Sequence, residues 1–304
     1  VDYNLEINAK NIVTILGGYQ YEDYRFTSQF SQSRNLISND IPSLNLGDEN
    51  SRITNEAINT YANQSFFARL NYSYDGKYLL EATVRSDESS RLAPGMRKQT
   101  FPSASIGWNV HREGFLQNNL GFLSELKLRA SWGKLGSALG IGLYDYLGLL
   151  SRGSNLILGG PEQRATYFWQ NVVPSSTLSW ENIETSNFGT DLGFFDNKLQ
   201  ASFDYYIKHN RNMLTPLQLP GTFGVGTPRV NEGVLKSWGW ELELKYRNKI
   251  GNNFNYNVGL NLSDNQNKLM EFAGRNVIGL GFQNIVEGYP LGTLWGYKTA
   301  PGYF

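Results

Sequence analysis

The stretch that decides the fold is IETSNFGTDLGFFDNKLQASFDYYIK, residues Ile183 to Lys208. Both of its arms alternate between apolar and polar side chains, on either side of a turn at Asp196-Asn197. Successive side chains of a strand point to opposite faces, so the stretch is predicted to form a hairpin with one apolar and one polar face. The apolar face is expected to carry Phe188, Thr190, Leu192, Phe194, Leu199, Ala201, Phe203, Tyr205 and Ile207.

The same alternation recurs along the chain. It predicts about nine strands and the start of a tenth near Leu294, and the Asp75-Gly76 pair marks a tight hairpin turn. Each strand is close to the ~9–11 residues that a tilted strand needs to cross a bilayer. The chain is therefore predicted to be all-β, an antiparallel transmembrane β-barrel segment with its apolar face toward lipid and its polar face toward a wet lumen. The predicted strands outside the opening hairpin lie at 11–25, 66–74, 78–87, 101–111, 125–132, 238–247 and 254–263.

The predicted connections alternate between two length classes. Outer-membrane barrels have short periplasmic turns and longer extracellular loops, and antiparallel strands force the two kinds to alternate. A soluble sandwich or propeller rarely combines strands this long with such an asymmetry. The longer connections are 28–59, 86–99, 136–179, 209–233 and 264–293, and the shorter ones are 75–76, 112–123, 196–197 and 249–252.

The composition excludes several classes of function. Lys plus Arg equals Asp plus Glu at 27 each, so no excess charge points to nucleic acid. The absence of cysteine excludes a disulfide framework and a thiolate metal site, and we expect no cofactor. Neither histidine, His111 or His209, lies in a hydrolase-like motif, so the chain is not expected to be an enzyme. No apolar run approaches the ~18 residues of a transmembrane helix.

The charged residues of the predicted strands share one phase. A charge on the lipid face near mid-membrane costs roughly 2–4 kcal/mol, and the apolar phases contain none. A barrel wide enough to hold water accommodates charges on its inner face. The alternative to a selectivity lining is a solvated wall of mutually paired charges. The candidate lumen-lining residues are Glu81, Arg85, Lys127, Arg129, Asp191, Asp204, Glu241, Glu243 and Lys245.

Five segments resemble one known family in order along the chain. They are YLLEATVRSDESSRLAPGMRKQTFPSASIGWNV (78–110), LSELKLRASWGKLG (123–136), LSWENIETSNFGTDLGFFDNKLQASFDYY (178–206), the run 228–244 with its Asn-Glu-Gly and Gly-Trp-Glu triplets, and EGYPLGTLWGYKTAPGYF (287–304). They resemble the barrel signature of the SusC-like (RagA-type) TonB-dependent outer-membrane transporters of Bacteroidetes.

The resemblance implies a barrel of about 22 strands with an N-terminal plug. It also implies a SusD-type surface lipoprotein as lid, import of oligosaccharides or peptides, and energy from the TonB–ExbB–ExbD complex of the inner membrane. Residues 1–304 contain no visible plug, TonB box, signal peptide or closing strands, so we expect them to be a partial barrel domain of a longer precursor. The alternatives are a passive outer-membrane porin or adhesin barrel, and a soluble carbohydrate-binding β-protein.

An aromatic run occupies the longest predicted loop. Tyr167, Phe168 and Trp169 follow closely after Arg164. Aromatic faces stack on sugar rings and on peptide side chains, while polar groups fix the orientation. These four residues are candidate contacts to a substrate or to the lid. The alternative is that the loop packs on its own aromatic side chains.

Overall fold

The computed structural model describes residues 1–117, 121–157, 164–217, 219–251, 253–272 and 285–298. Nearly all regular structure in these ranges is β-strand, and the one α-helical segment is a single turn, α1. That turn lies in the 112–123 connection. The elements are β1 Asp2–Asn8, β2 Asn11–Gln32, β3 Ile53–Tyr74, β4 Tyr78–Ser89, β5 Lys98–Asn109, α1 Gly114–Gln117, β6 Leu123–Ser137, β7 Leu150–Ile157, β8 Arg164–Gln170, β9 Glu181–Phe194, β10 Leu199–Pro216, β11 Arg229–Ile250 and β12 Phe254–Glu271.

Ten of the strands form one antiparallel sheet in the order β1-β2-β3-β4-β5-β6-β9-β10-β11-β12. In this order β6 is followed directly by β9. The two strands between them in sequence, β7 and β8, form a separate hairpin. Within the described ranges the sheet is open, with β1 and β12 at its edges. The predicted all-β antiparallel barrel segment is thereby confirmed.

No helix in the described ranges is both long enough and apolar enough to cross a membrane.

The register of the opening hairpin keeps each kind of side chain on its own face. Phe203 pairs with Thr190, and Ser202 pairs with Asp191. Directly opposite residues of an antiparallel pair share a face, so the apolar phase continues from strand to strand. The predicted turn is also present, since Asp196 has φ 55°. One complete apolar row across five strands consists of Leu128, Thr190, Phe203, Leu242 and Leu262.

No part of the chain that the structure describes forms a layer over the apolar face. Ile106 is 59% exposed, Phe188 55% and Val258 61%. A soluble domain rarely leaves an apolar surface of this extent uncovered, because it would bind other proteins or aggregate. In an outer-membrane barrel the same face contacts lipid. The side chains of Leu128 and Phe203 are also exposed on this face, as the alternation predicts.

The strands extend much further toward the long loops than predicted. β2, β3 and β11 each contain 22 residues, which corresponds to ~75 Å at ~3.4 Å per residue. The apolar band of an outer-membrane barrel is only ~25 Å tall. Alternation stops where lipid ends, but backbone pairing continues into water, and this is why the predicted loop bounds were wrong. The loop predicted at 28–59 covers only 33–52, the one at 209–233 covers 217–228, and β12 continues to Glu271.

Two further predictions need correction. The connection at 136–179 is not one irregular loop, because it contains β7 and β8, which are too short and too irregular in pattern to be recognised. A strand was predicted to begin near Leu294, but residues 285–298 form turns and irregular structure, and 299–304 lie outside the described residues. The additional strand of the main sheet is β1, which pairs with β2.

An aromatic cluster marks the end of the sheet with the short turns. The rings of Tyr74 and Tyr78 stack at 6.2 Å, and those of Tyr78 and Trp108 at 6.3 Å. Glu113, in the connection after β5, accepts hydrogen bonds from Tyr78 Oη (2.8 Å), Trp108 Nε1 (3.2 Å) and Lys77 Nζ (3.2 Å). These bonds, the one from Tyr78 first, hold the pKa of Glu113 below its ordinary value. Such rings at the membrane boundary are typical of an aromatic girdle.

A small apolar core lies at the opposite, long-loop end. Leu92, Phe101, Ile141, Leu178 and Trp180 are buried together there. Trp180 donates its Nε1–H to the Arg97 carbonyl oxygen at 2.9 Å, which satisfies its polar atom inside the cluster. The connection between β6 and β9 is thereby fixed against the 90–97 connection.

The two-faced sheet predicts unequal effects of neighbouring substitutions. Leu242 lies in the middle of the apolar band, so Leu242→Arg in the full-length protein should cost roughly 2–4 kcal/mol. Glu243→Gln, on the polar face, should leave assembly close to that of the parent. Heat-modifiable migration of the outer-membrane fraction measures both yields. Equal yields of the two variants would contradict the assignment of the faces.

Candidate functional site

The polar face gathers the predicted lumen residues into cross-strand rows. β6, β9, β10 and β11 are adjacent, so residues far apart in sequence become direct neighbours. One row aligns Arg129, Gly189, Asp204 and Glu241; the next aligns Lys127, Asp191, Ser202 and Glu243.

Arg129 is the centre of this arrangement. Its Nε and Nη2 atoms donate to the two carboxylate oxygens of Asp191, each at 2.9 Å, in a bidentate pair. Nη2 also lies 3.1 Å from Asp204 Oδ2 and 3.3 Å from Ser202 Oγ. Ser202 in turn donates to Asp191 Oδ1 at 2.8 Å. A single guanidinium therefore ties three strands together with charge-assisted hydrogen bonds, which are stronger than neutral ones.

Gly189 makes this bridge possible. It lies on β9 directly between Arg129 on β6 and Asp204 on β10. A Cβ atom at this position would come within 2.5 Å of Asp204 Oδ1 and 2.8 Å of the Arg129 guanidinium. Real Cβ atoms do not approach polar groups so closely, so any larger residue would push the pair apart. Gly189 is needed here because it has no side chain that would separate Arg129 from Asp204.

The remaining charged residues on this face pair more loosely or more locally. Arg69 and Glu81 are 3.9 Å apart and both more than 40% exposed. Such exposed pairs contribute little to stability. The close pairs join residues two apart on one strand, Arg85 with Asp87 at 2.6 Å and Lys245 with Glu243 at 2.7 Å.

All nine predicted lumen residues lie on the polar face. Around β9 to β11 this face carries both signs of charge, and most of its carboxylates are paired with Arg129 or Lys245. Glu241 lies directly opposite Asp204, and like charges placed opposite each other on a sheet repel. That these residues contact a transported molecule stays a prediction.

The four predicted loop residues lie on β8, in the hairpin outside the main sheet. Tyr167 and Trp169 share one face and stack with ring centroids 5.1 Å apart. Trp169 Nε1 donates to Asn171 Oδ1. Phe168 projects to the opposite face, where it pairs with Arg152 and is 63% exposed. The structure therefore brings Tyr167 and Trp169 together and separates Phe168 from them.

A cavity of about 780 Å³ lies beside this hairpin. Its wall combines the 139–149 and 171–178 segments with residues 227–229. Arg229 closes one side through a hydrogen bond from Nη1 to the Gly140 carbonyl oxygen. The volume is in the range of small-ligand pockets. The cavity has no signature in the sequence, because its wall comes from irregular segments that are distant along the chain.

The structure gives no support for a metal centre or a catalytic base in the described ranges. There, no group of three or more His, Asp or Glu side chains lies close enough to hold a metal ion. His111 is at the short-turn end, with Nδ1 3.2 Å from the Leu126 carbonyl oxygen and 3.3 Å from the Leu126 amide nitrogen. His209 lies on β10, paired with Glu184 and Lys236. His111 thus lies just beyond the end of β5, as predicted, whereas His209 lies within β10 and not near a strand end.

Comparison with known proteins agrees with this geometry. The family described as TonB dependent receptor-like, beta-barrel matches residues 1–300. The chain belongs to the TonB-dependent receptor family. This receptor chain is accordingly an outer-membrane protein, and a soluble carbohydrate-binding module is excluded.

Relatives of this TonB-dependent receptor chain come from Bacteroidetes-type bacteria. It is 30% identical to TonB-dependent receptor P39 of Formosa agariphila over 98% of its own length. It is 26% identical to TonB-dependent receptor SusC of Bacteroides thetaiotaomicron over 90% of its length. The chain spans only 28% and 27% of these two relatives.

Solved structures show the same fold. The RagAB peptide importer in its closed-closed state is 26% identical, with a TM-score of 0.84 over 95% of this chain and 32% of that one. For the same importer in its open-open state, the TM-score is 0.79 over 92% of this chain and 30% of that one. The resemblance to SusC-like, RagA-type receptors is confirmed by these matches. The named relatives are receptors and an importer, which points away from catalysis.

The Arg129 network predicts a specific loss of stability. Arg129→Met in the full-length receptor leaves Asp191 and Asp204 together without their cation, and should cost roughly 1–2 kcal/mol after allowance for solvent screening. Arg69→Met removes a guanidinium of the same face whose contacts are long and exposed, to Glu81 at 3.9 Å and to Thr83 Oγ1 at 3.4 Å, and should change stability little. Denaturant unfolding of the purified receptor measures both. Equal shifts would show that Arg129 is not the centre of a bridge.

Proposed function

We propose that this chain is the barrel portion of a TonB-dependent importer that takes up oligosaccharides or peptides across the outer membrane. The observation that carries the proposal is the likeness to the RagAB peptide importer over 95% of the chain at a TM-score of 0.84. The fold places a continuous polar, hydrogen-bonding face behind a lipid-facing one, which is what a hydrophilic cargo requires.

The proposed partners follow from the same likeness. A SusD-type surface lipoprotein would cover the long-loop end, and the TonB–ExbB–ExbD complex would supply energy through parts of the full-length protein. Two features of the long-loop end support contact with a cargo or a lid: the Tyr167–Trp169 stack and the adjacent cavity of about 780 Å³. Aromatic faces suit both sugar rings and peptide side chains, so they do not choose between the two cargo classes.

Uptake assays in the source bacterium test the proposal. Deletion of the full-length gene should abolish accumulation of a labelled oligosaccharide or peptide class, and complementation with the intact gene should restore it. A protonophore should reduce accumulation to the level of the deletion strain, because TonB-dependent import needs the proton gradient. Uptake that persists with the protonophore would favour the passive porin, and uptake unchanged by the deletion would refute import by this protein.

The aromatic stack predicts a second outcome. Trp169→Ala in the full-length receptor should weaken cargo affinity by about fivefold, since an aromatic contact contributes ~1 kcal/mol. Phe195→Ala is the matched control, because Phe195 is also an exposed aromatic residue but lies in the short turn at the other end. Titration of the purified receptor with the identified cargo measures both affinities. Unchanged affinity in Trp169→Ala would remove this residue from the site.

A further inference from the structure

A row of mainly basic side chains crosses five strands on the outward face, just beyond the apolar band. The pairing connects β6 to β12 without a break, so the residues share one face. In the order of the strands, the row consists of Lys134, Glu184, His209, Lys236 and Lys268. Three lysines and a histidine accompany one carboxylate, and the row is therefore positive.

This row continues the lipid-facing phase and not the polar one. On β11 the row includes Lys236. This lysine is an even number of residues away from the outward-facing Tyr246, Leu242 and Trp238, so it lies on the same face. Ten residues separate Tyr246 from Lys236, which is ~34 Å along the strand. With a strand tilt of ~40° this becomes ~26 Å across the membrane, about the height of the apolar band. Lys236 therefore lies at the boundary on the long-loop side.

Tryptophans of the adjacent outward row support the lysines. Lys134 Nζ lies 5.8 Å from the Trp132 ring, and Lys236 Nζ lies 5.5 Å from the Trp238 ring. A cation over an indole face is held by the ring quadrupole while its ammonium group stays accessible. The two lysines are thus positioned at the membrane boundary.

The one carboxylate of the row is already engaged. Glu184 accepts a hydrogen bond from Trp132 Nε1 at 2.8 Å and lies 3.6 Å from Arg211 Nε. In the described part of the chain, none of the three lysines has a carboxylate oxygen within 4 Å. No close ion pair within the described residues therefore neutralises their charge.

The basic excess is confined to this part of the sheet. The comparable outward row in the other half of the sheet lies ten residues from the short-turn end of β3. Across β2 to β5 it consists of Tyr21, Gln64, Glu88 and Lys98. It contains one acid and one base. A general requirement for solubility at the strand ends would not distinguish the two halves in this way.

We propose that Lys134, Lys236 and Lys268 bind phosphate groups of lipids in the outer leaflet. The row faces sideways, where lipid surrounds a barrel, and it lies at headgroup height. Each Lys or Arg near an anionic lipid surface contributes ~1 kcal/mol of attraction. The acyl chains of the same lipid would lie against the apolar rows below. This role is separate from import and does not depend on the cargo.

Lipid titration of the full-length receptor tests the proposal. The probes are a phosphorylated lipid A, the same lipid A without its phosphates, and inorganic phosphate, each added to detergent-purified receptor and followed by native mass spectrometry. The parent should bind the phosphorylated lipid at least tenfold more tightly than the dephosphorylated one. Equal affinity for the two lipids would overturn the proposal without any mutant.

Substitutions then locate the site. The triple variant Lys134→Gln, Lys236→Gln, Lys268→Gln should lose at least tenfold in affinity for the phosphorylated lipid, and the corresponding triple arginine variant should retain it. The control replaces three other lysines by Gln and so has an equal change in charge. Lys198 lies in a short turn, Lys208 on the polar face and Lys249 at the short-turn end, all away from the proposed site. An equal loss in control and variant, or tight binding of inorganic phosphate alone, would refute a lipid site at this row.

Discussion

The constraint on which the whole structure depends is that lipid offers no hydrogen-bond partner to a peptide group. Every N–H and C=O that crosses the hydrocarbon must therefore be paired within the protein. The ten-stranded antiparallel ladder meets this condition for the eight strands that lie between the edge strands β1 and β12. Because side chains of a strand alternate between faces, the same ladder sorts residues between oil and water. The apolar band and the polar face both follow from this pairing.

Cohesion of such a wall differs from that of a globular domain. Among the described residues few side chains are buried, and a small apolar cluster around Phe101 and Trp180 lies at the long-loop end. Stability comes instead from backbone pairing and from contacts between neighbouring strands. Arg129 provides one such contact, since it joins β6, β9 and β10 through Asp191 and Asp204. At the other end, Glu113 joins the girdle aromatics to the β5–β6 connection.

The faces of the strands and the tight turns could be predicted from the sequence because they depend on local alternation and on residues such as Asp75-Gly76. The ends of the strands could not, because pairing continues after the hydrophobic pattern has stopped. β7 and β8 have no clear alternation, so they were assigned to a loop. The partners of Arg129 depend on the register of three strands. On the polar phase of β9 Gly189 lies between Asn187 and Asp191, and this local pattern does not identify Arg129 as a partner. The cavity next to β8 is formed by irregular segments and left no periodic signal.

The strands that continue beyond the apolar band have a consequence for traffic across the cell surface. There β2, β3, β10 and β11 remain hydrogen-bonded while water bathes both of their faces. The sheet thus extends above the bilayer as a wall of paired strands, and the space on its polar side is shielded by this wall. In the proposed importer, this part of the wall blocks lateral entry of solutes from the membrane surface, so that cargo reaches the polar side past the connecting segments.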